Sequence, residues 1–351
     1  MKGTPLHAAF VDCRLKQIFQ TSKAFGGISI LVFGDFNQLS PVGDRYIFQH
    51  HIKDLYGDII GNPLWNLFTS FQLQEIMRQK DDATFAKVLN NLANNSLSHE
   101  ELNLFQSRVI SNEDDIPDNA INLFRTNMDV NSYNSRIINK DSKKQIANAS
   151  DKVTGNVSDK MKEKLSNLCQ TSDANGAKGL PYTLLLSIGI KYMLTVNIDV
   201  EDGLVNGAVG ILKGYEKDSE ERIFRLWLDF SDEQVGKKRR KEIKKDNQLN
   251  WTVIDRISKN IQPLKTLINI IRKQFPIIPA EAITIYKSQG GTYNKIVVHL
   301  INGMKKNELY VAFSRCTKLD GLYLVGNLKI PSTQNSNDKI QMEIKRILHN
   351  S

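Results

Sequence analysis

A few polar residues in this sequence have the types and surroundings that phosphate chemistry uses. Gln38 stands in LVFGDFNQLSPV, just past the apolar run Leu31-Val32-Phe33 and the pair Gly34-Asp35. A carboxamide past a strand end both donates and accepts hydrogen bonds, so it can sense a γ-phosphate or its attacking water. Arg78 in EIMRQ and Arg315 in AFSRC carry guanidiniums. An arginine delivered to a cleft suits bidentate phosphate contact and stabilises charge in a transition state. The stretch TIYKSQGGT, residues 284–292, offers donors at Lys287, Ser288, Gln289 and Thr292, with glycines that let another backbone approach closely.

Each feature also has a plainer reading. The Gln38 segment also reads, with less weight, as a capped loop after a buried strand. Arg78 has Glu75 three residues before it and Asp81 three residues after, the spacing of a local helical ion pair. Asn206-Gly207 is by itself a hairpin turn.

The elements that must hold these groups alternate between helix and strand. HAAFVDCRLKQIFQ carries a helical apolar stripe and is broken by Gly26-Gly27. ISILVFGD then reads as a fully buried strand of the parallel-sheet kind. Helices are predicted over 82–93 and 98–109, the second opening on the capping box Ser98-x-x-Glu101. AINLFRTN reads as a buried strand leading into a helix near 128–139. Residues 140–178 are polar and read as a mobile insertion with one helix around 158–168. Strands dominate from Leu180 to Phe230, and Val205-Asn206-Gly207 marks a turn among them. A helix through PAEAITIYKSQ, a strand KIVVHL, a helix KKNELYVAFSRC and a strand GLYLVG complete the pattern. The fold class is α/β, and there are no internal repeats.

Composition sets the frame. The 351 residues are 40% hydrophobic and 24% charged, ordinary for a globular chain. Net charge is 47 − 38 = +9, which suits a polyanionic partner. Seven of the basic residues fall in GKKRRKEIKK at 236–245, a solvated loop, a nuclear address or a nucleic-acid contact. No apolar run approaches bilayer length, and the N-terminus lacks a secretory core and cleavage site, so neither membrane nor export is expected. Cys13, Cys169 and Cys316 lie far apart and read as reduced thiols, with no zinc spacing.

Several segments also fall in one order. GDFNQLSPV (34–42) resembles motif III of superfamily 1 helicases and FQLQEIMRQKDD (71–82) their motif IV. DGLVNGAVG (202–210) resembles the Val-x-Asn-Gly segment, TIYKSQGGT the Thr-x-x-Lys-Ser-Gln-Gly segment, and LYVAFSRCTKLDGLYL (309–324) motif VI. With FPIIPAEA just ahead of the fourth, the chain resembles the Pif-type DNA helicases, a group that includes the helicase half of Helitron transposases. The resemblance runs from about residue 8 to 326 and implies a RecA-like core. It places the C-terminal part of a first RecA-like domain at 1–114 and a second at 115–210 and 273–351. A small β-rich SH3-like insert with the basic run would occupy 211–272.

The roles that follow are the family's. Asp35, Gln38, Arg78, Gln289, Gly290 and Arg315 would contact nucleotide, with Gln38, Arg78 and Arg315 catalytic. Asn206, Gly207, Thr284, Lys287, Ser288 and Thr292 would contact single-stranded DNA, and the basic run could line the channel. Tyr286 stands where many relatives carry His, and it too can stack or donate. The family unwinds DNA 5′ to 3′ with ATP and magnesium, acts on single strands or junctions, and serves repair, recombination and telomere maintenance. A nuclear location is the first expectation, with mitochondrion or cytoplasm as alternatives.

One part of the pattern is missing. No G-x-x-x-x-G-K-[ST] occurs: the pair Gly236-Lys237 is followed by Lys238. A Walker B strand ending in Asp-Glu is absent ahead of Gly34 as well. The expectation is a chain that starts a few residues past those acids, holds no metal, and needs a missing N-terminal helicase half to bind ATP. The alternative is a non-catalytic single-strand-binding remnant of a transposon-derived helicase. A transposon-derived piece with no retained role is a third possibility.

Overall fold

The computed structural model describes residues 4–41, 43–50, 62–73, 75–112, 115–117, 119–154, 177–243, 250–261, 269–331 and 339–349. In chain order the elements begin with α1 (Pro5–Phe19), α2 (Ala83–Ala93), α3 (His99–Gln106), β1 (Val109–Ile110), β2 (Ile121–Phe124) and α4 (Asn127–Asn139). Strands follow: β3 (Gln145–Asn148), β4 (Ser150–Thr154), β5 (Thr183–Leu186), β6 (Lys191–Leu194), β7 (Val209–Lys217) and β8 (Ile223–Phe230). Then come α5 (Lys237–Glu242), β9 (Trp251–Asp255), β10 (Ile257–Ile261), β11 (Asn269–Gln274), β12 (Ile277–Pro279), β13 (Ala282–Thr284) and α6 (Ile285–Ser288). The last are β14 (Ile296–His299), α7 (Lys306–Phe313), β15 (Leu322–Val325) and α8 (Lys339–His349). Two compact units divide the chain: Met1–Asp115 with Thr292–Ser351, and Ile116–Gly291.

In the first unit β1, β15 and β14 pair in parallel, with Val109 opposite Leu324 and Ile296 opposite Leu322. Helix α2 starts on Asp82, whose side chain accepts from the Phe85 amide, and buries Phe85, Val88, Leu89 and Leu92. The capping box at Ser98 and Glu101 opens α3 as the spacing predicts. Phe105 of α3 packs on Phe313 of α7, ring centres 5.0 Å apart. Helix α1 begins at the Thr4 cap with Pro5 in its first turn. Its buried Asp12 accepts from Lys16 at 2.7 Å and from the Phe25 amide at 2.6 Å, fixing the turn beyond the helix. Gly26 in that turn has φ +67°, and a Cβ there would meet the Leu15 carbonyl oxygen at 2.8 Å, so only glycine fits.

The segment ISILVFGD departs from the sequence reading. Residues 28–35 form no strand, and Leu31 and Phe33 are 83% and 84% exposed. A parallel strand is stabilised by ladders on its edges and cover on both faces. Among the described residues neither ladder is present for this one, so its apolar side chains stay in solvent.

The second unit holds the parallel pair β2–β13, with Asn122 opposite Ile283's neighbour Ala282. Helix α4 covers the pair, and Asn134 ties it down: its amide donates to the Ala282 carbonyl at 2.9 Å and its oxygen accepts from the Ala282 amide at 2.8 Å. The antiparallel sheet β12-β6-β7-β8-β9 lies in the same unit, together with β10-β11-β4 and the pair β3–β5. The first of these and the pair β3–β5 share a core that includes Tyr192, Leu194, Leu212, Leu226, Leu228, Ile254, Phe275 and Ile277, while β10, β11 and β4 pack a smaller cluster around Ile261 and Ile270. Two sequence expectations are corrected here. Residues 145–148 and 150–154 are strands, not part of a mobile insertion, because their partners β5 and β11 lie far along the chain. The expected helix at 158–168 lies outside the described residues. Within PAEAIT, Ala282–Thr284 is strand, with a helix of one turn only at Ile285–Ser288, because buried Ala282 and Ile283 are taken into the parallel pair with β2.

The basic run forms the short α5, and its arginines are committed within the unit. Arg239 binds the Val253 carbonyl at 2.9 Å and Asp255 at 2.8 Å. Arg240 binds Thr252 at 2.8 Å and the Glu233 carbonyl. Buried Asp202 accepts from the backbone amides of Lys238 and Arg239. Lys237, Lys238 and Lys241 face solvent.

A second buried charge pair staples β11 to β4. Arg272 donates to Asp151 through Nε at 2.8 Å and Nη2 at 2.7 Å, and both side chains are nearly solvent-free. Removing one partner strands the other charge in low dielectric. Arg272→Met is therefore expected to cost about 3–5 kcal/mol in denaturant unfolding, and Arg272→Met with Asp151→Leu to recover most of it. Equal losses in the single and double variants would contradict this.

Candidate functional site

Within the first unit, the turn after residue 75 and the C-terminal end of α7 bring two arginines onto one stretch of chain. Arg78 does not pair with Glu75 or Asp81. Its Nε donates to Thr292 Oγ1 at 2.9 Å and its Nη1 to the Ser314 carbonyl at 3.1 Å. Arg315 is 2% exposed. Its Nε donates to the Val311 carbonyl at 2.9 Å and its Nη2 to Ser314 Oγ at 2.9 Å. Among the described residues neither arginine makes an ion pair. Burial, with the neighbouring Arg78 charge second, pushes the Arg315 guanidinium down to about 10. Burial also lowers Arg78. A guanidinium taken from water without a carboxylate keeps a large unpaid solvation cost, which an anion can offset.

The Gln38 loop belongs to the same unit and is fastened to α7. Asp35 Oδ2 accepts from Gln38 Nε2 at 3.3 Å and from the Tyr310 hydroxyl at 3.2 Å. Asn307, one turn before Tyr310, donates to Ser40 Oγ at 3.1 Å. Asn307 Oδ1 is buried with no hydrogen-bond partner among the described residues. Burial, and then the Asp35 charge, raises the Tyr310 phenol well above its usual range, so it stays a donor at any ordinary pH. The Gln38 loop and the helix that precedes Arg315 are thus joined by side chains that sequence reading missed. Tyr310 and Asn307 sit in the right helix, but nothing in their spacing marks them out from core or cap residues.

The donors can grip a terminal phosphate: two cationic forks, a carboxamide and a hydroxyl at Thr292. Among the described residues no cluster of His, Cys, Asp or Glu could hold a metal ion. Thr292, read from sequence as a DNA contact, here meets Arg78.

The other DNA-contact candidates are in the second unit. Thr284 caps α6 by accepting from the Lys287 amide at 3.2 Å and is buried. Ser288 is buried, and its hydroxyl donates to the Ile285 carbonyl at 2.8 Å, so the hydroxyl is turned inward. Lys287, Tyr286 and Gly290 are exposed, and Gln289 is half-buried. Gly290 has φ +93° with open space where a Cβ would stand. Asn206 and Gly207 form an exposed turn, its backbone set by Asn197 Oδ1 at 2.8 Å and by the Leu194 carbonyl at 2.9 Å. Gly207 has φ +99°, again with nothing within reach of a Cβ. These two glycines leave the backbone open to a ligand strand.

Loss of the Tyr310 hydroxyl alone frees one of the ties on Asp35. Tyr310→Phe is expected to speed amide exchange at residues 35–38 by roughly 3- to 10-fold, the worth of one such bond, with α7 unchanged. Unchanged exchange in that loop would show that the tie carries nothing.

A family model described as PIF1-like helicase matches residues 7–102. The chain is 29% identical to the ATP-dependent DNA helicase PIF1 of Emericella nidulans over 88% of its own length and 43% of that protein's. It is 27% identical to the Pif1 helicase of Psychrobacter, over 92% of this chain and 52% of the relative. It therefore spans about half the length of the curated relatives it matches, or less. Among solved structures, Pif1 helicase from Candida albicans superposes with TM-score 0.72 at 22% identity, over 100% of this chain and 75% of that one. Bacteroides Pif1, solved with ADP-AlF3 and single-stranded DNA, gives 0.65 at 22%, over 100% of this chain and 74% of its own. The mixed α/β fold with its parallel strands is accordingly that of the Pif1 helicase core. Motif order, sequence relatives and fold agree: the chain is similar to the PIF1-like DNA helicases.

Proposed function

We propose that this chain supplies the phosphate-sensing and arginine side of the nucleotide site of an ATP-dependent Pif-type DNA helicase, together with a contact surface for single-stranded DNA. The observation that carries the reading is the pair Arg78 and Arg315, the first half-buried and the second buried, both without an ion pair among the described residues. Held at Ser314, Arg78 on its carbonyl and Arg315 on its hydroxyl, they suit the charge that develops on a transferring phosphoryl group. Gln38, fixed by Asp35, would report the state of that phosphate. Thr292 would relay it to Arg78. ATP bound with magnesium would supply the free energy, and this chain's part is to bind and orient the terminal phosphate. The metal ligands would have to come from residues other than those described.

On the second unit, Asn206-Gly207, Lys287 and Gln289-Gly290 offer turns and a cation to a sugar–phosphate backbone, and exposed Tyr286 offers a ring to a base. Movement 5′ to 3′ and service in repair, recombination or telomere maintenance are part of the same proposal and rest on the family alone. The complementary proposal concerns turnover. The 351 residues contain no phosphate loop, so the chain by itself binds single strands without hydrolysing ATP appreciably.

Purified chain is expected to bind a fluorescent oligothymidine with a log–log salt slope of about −2 to −3, as three or four phosphate contacts give. Lys287→Ala should weaken binding and flatten the slope by roughly 0.7. DNA-stimulated ATP hydrolysis by the pure chain would refute the turnover proposal. Salt-independent binding, or none, would refute the DNA surface.

A further inference from the structure

The residue after Arg78 has a place in the site that no motif role gives it. Gln79 is 4% exposed, and its side-chain amide donates to two backbone carbonyls, Ser314 at 3.2 Å and Cys316 at 2.6 Å. Those carbonyls flank Arg315 in the chain. The same turn is tied on at two further points: Arg78 also donates to the Ser314 carbonyl, and Asp82 Oδ2 accepts from the Leu319 amide at 3.0 Å. Asp82 is itself fixed, since its other oxygen caps α2. The backbone that carries Arg315 is thus bracketed by a rigid turn anchored on a helix N-terminus.

Arg315 needs such a bracket. It follows the end of α7, where the chain has left the helix and a single bridge holds the backbone, the Tyr293 amide donating to the Arg315 carbonyl at 3.0 Å. Its guanidinium lies among Arg78, Tyr310, Tyr293 and Asp35, with a like charge as the strongest electrostatic neighbour. Left alone, a buried cation beside another cation would swing toward water. We propose that Gln79 is a positioning residue for Arg315: by bridging the carbonyls of Ser314 and Cys316 it holds the guanidinium inward against Arg78 and makes the two arginines one anion site. The inference rests on the phosphate-site reading above and adds the group that enforces it.

The test uses the intact chain and inorganic tripolyphosphate, followed by calorimetric titration. Gln79→Met keeps the shape and removes only the donor, and Gln79→Asn keeps a donor that cannot span both carbonyls. Both are expected to bind the anion about tenfold more weakly, with melting midpoints within about 4 °C of the parent. The second readout is the pH profile. In the parent, affinity should fall as pH rises through about 10, where buried Arg315 loses its proton. In the Gln79 variants Arg315 is better hydrated and keeps its proton longer, so the fall should move to higher pH. A merely structural glutamine would lower the melting midpoint and leave the profile where it was, and that result would overturn the proposal. Parent-like affinity in both variants would overturn it too. Arg78→Gln and Arg315→Gln separate the two levels: if either binds as tightly as the parent, or the parent does not bind, the phosphate-site reading itself fails.

Discussion

Positive charge held out of water without a negative partner is the constraint around which the first unit is organised. Arg315 is buried and Arg78 half-buried, and the Arg78 charge makes Arg315 harder to keep charged. Such an arrangement costs stability unless it is useful, because a folded chain could as readily have carried an apolar side chain there. The surrounding bonds all act against escape of the guanidiniums: carbonyls of Val311 and Ser314, hydroxyls of Thr292 and Ser314, and the Gln79 amide behind the backbone. Asp35 is a carboxylate whose charge reaches Arg315, yet it is occupied by Tyr310 and Gln38. The site is therefore set for an incoming anion.

The second unit meets its charges differently. Arg272 with Asp151 and Lys191 with Glu281 are matched pairs within a β-rich core, the latter at 2.9 Å. The basic run, prominent in the sequence, largely staples α5 to β9. Apart from the solvent-facing lysines of α5, what the DNA-contact candidates leave exposed is smaller and more specific: Lys287, the ring of Tyr286 and two open glycine turns. A run of like charges in sequence says little about function until the partners of each side chain are known.

Much of this was legible from residue types in order. Arg78, Arg315 and Gln38 stand out because a guanidinium or carboxamide beside apolar residues has few structural uses, and the fold places all three in one unit. The capping box at Ser98, helix α1 and strands β2, β14 and β15 follow from local pattern. Three things were not legible. ISILVFGD has the composition of a buried strand, but a strand exists only with its neighbours. PAEAIT has helical composition, yet the parallel partner β2, some 160 residues away by the numbering of the pair, decides the matter. Gln79, Asn307 and Tyr310 act through backbone carbonyls and a carboxylate brought near by folding, and no spacing in the chain encodes such contacts.

The most direct measurement of the central claim is the titration of Arg315 itself. Carbon-13 NMR of arginine-labelled chain, assigned with Arg315→Lys, would follow its guanidinium alone and with ADP plus aluminium fluoride. The account predicts titration near pH 10 in the free chain and a shift upward when the anion is present, because a negative neighbour favours the charged form. A guanidinium that titrates like any solvent-exposed arginine, or one indifferent to the anion, would contradict it.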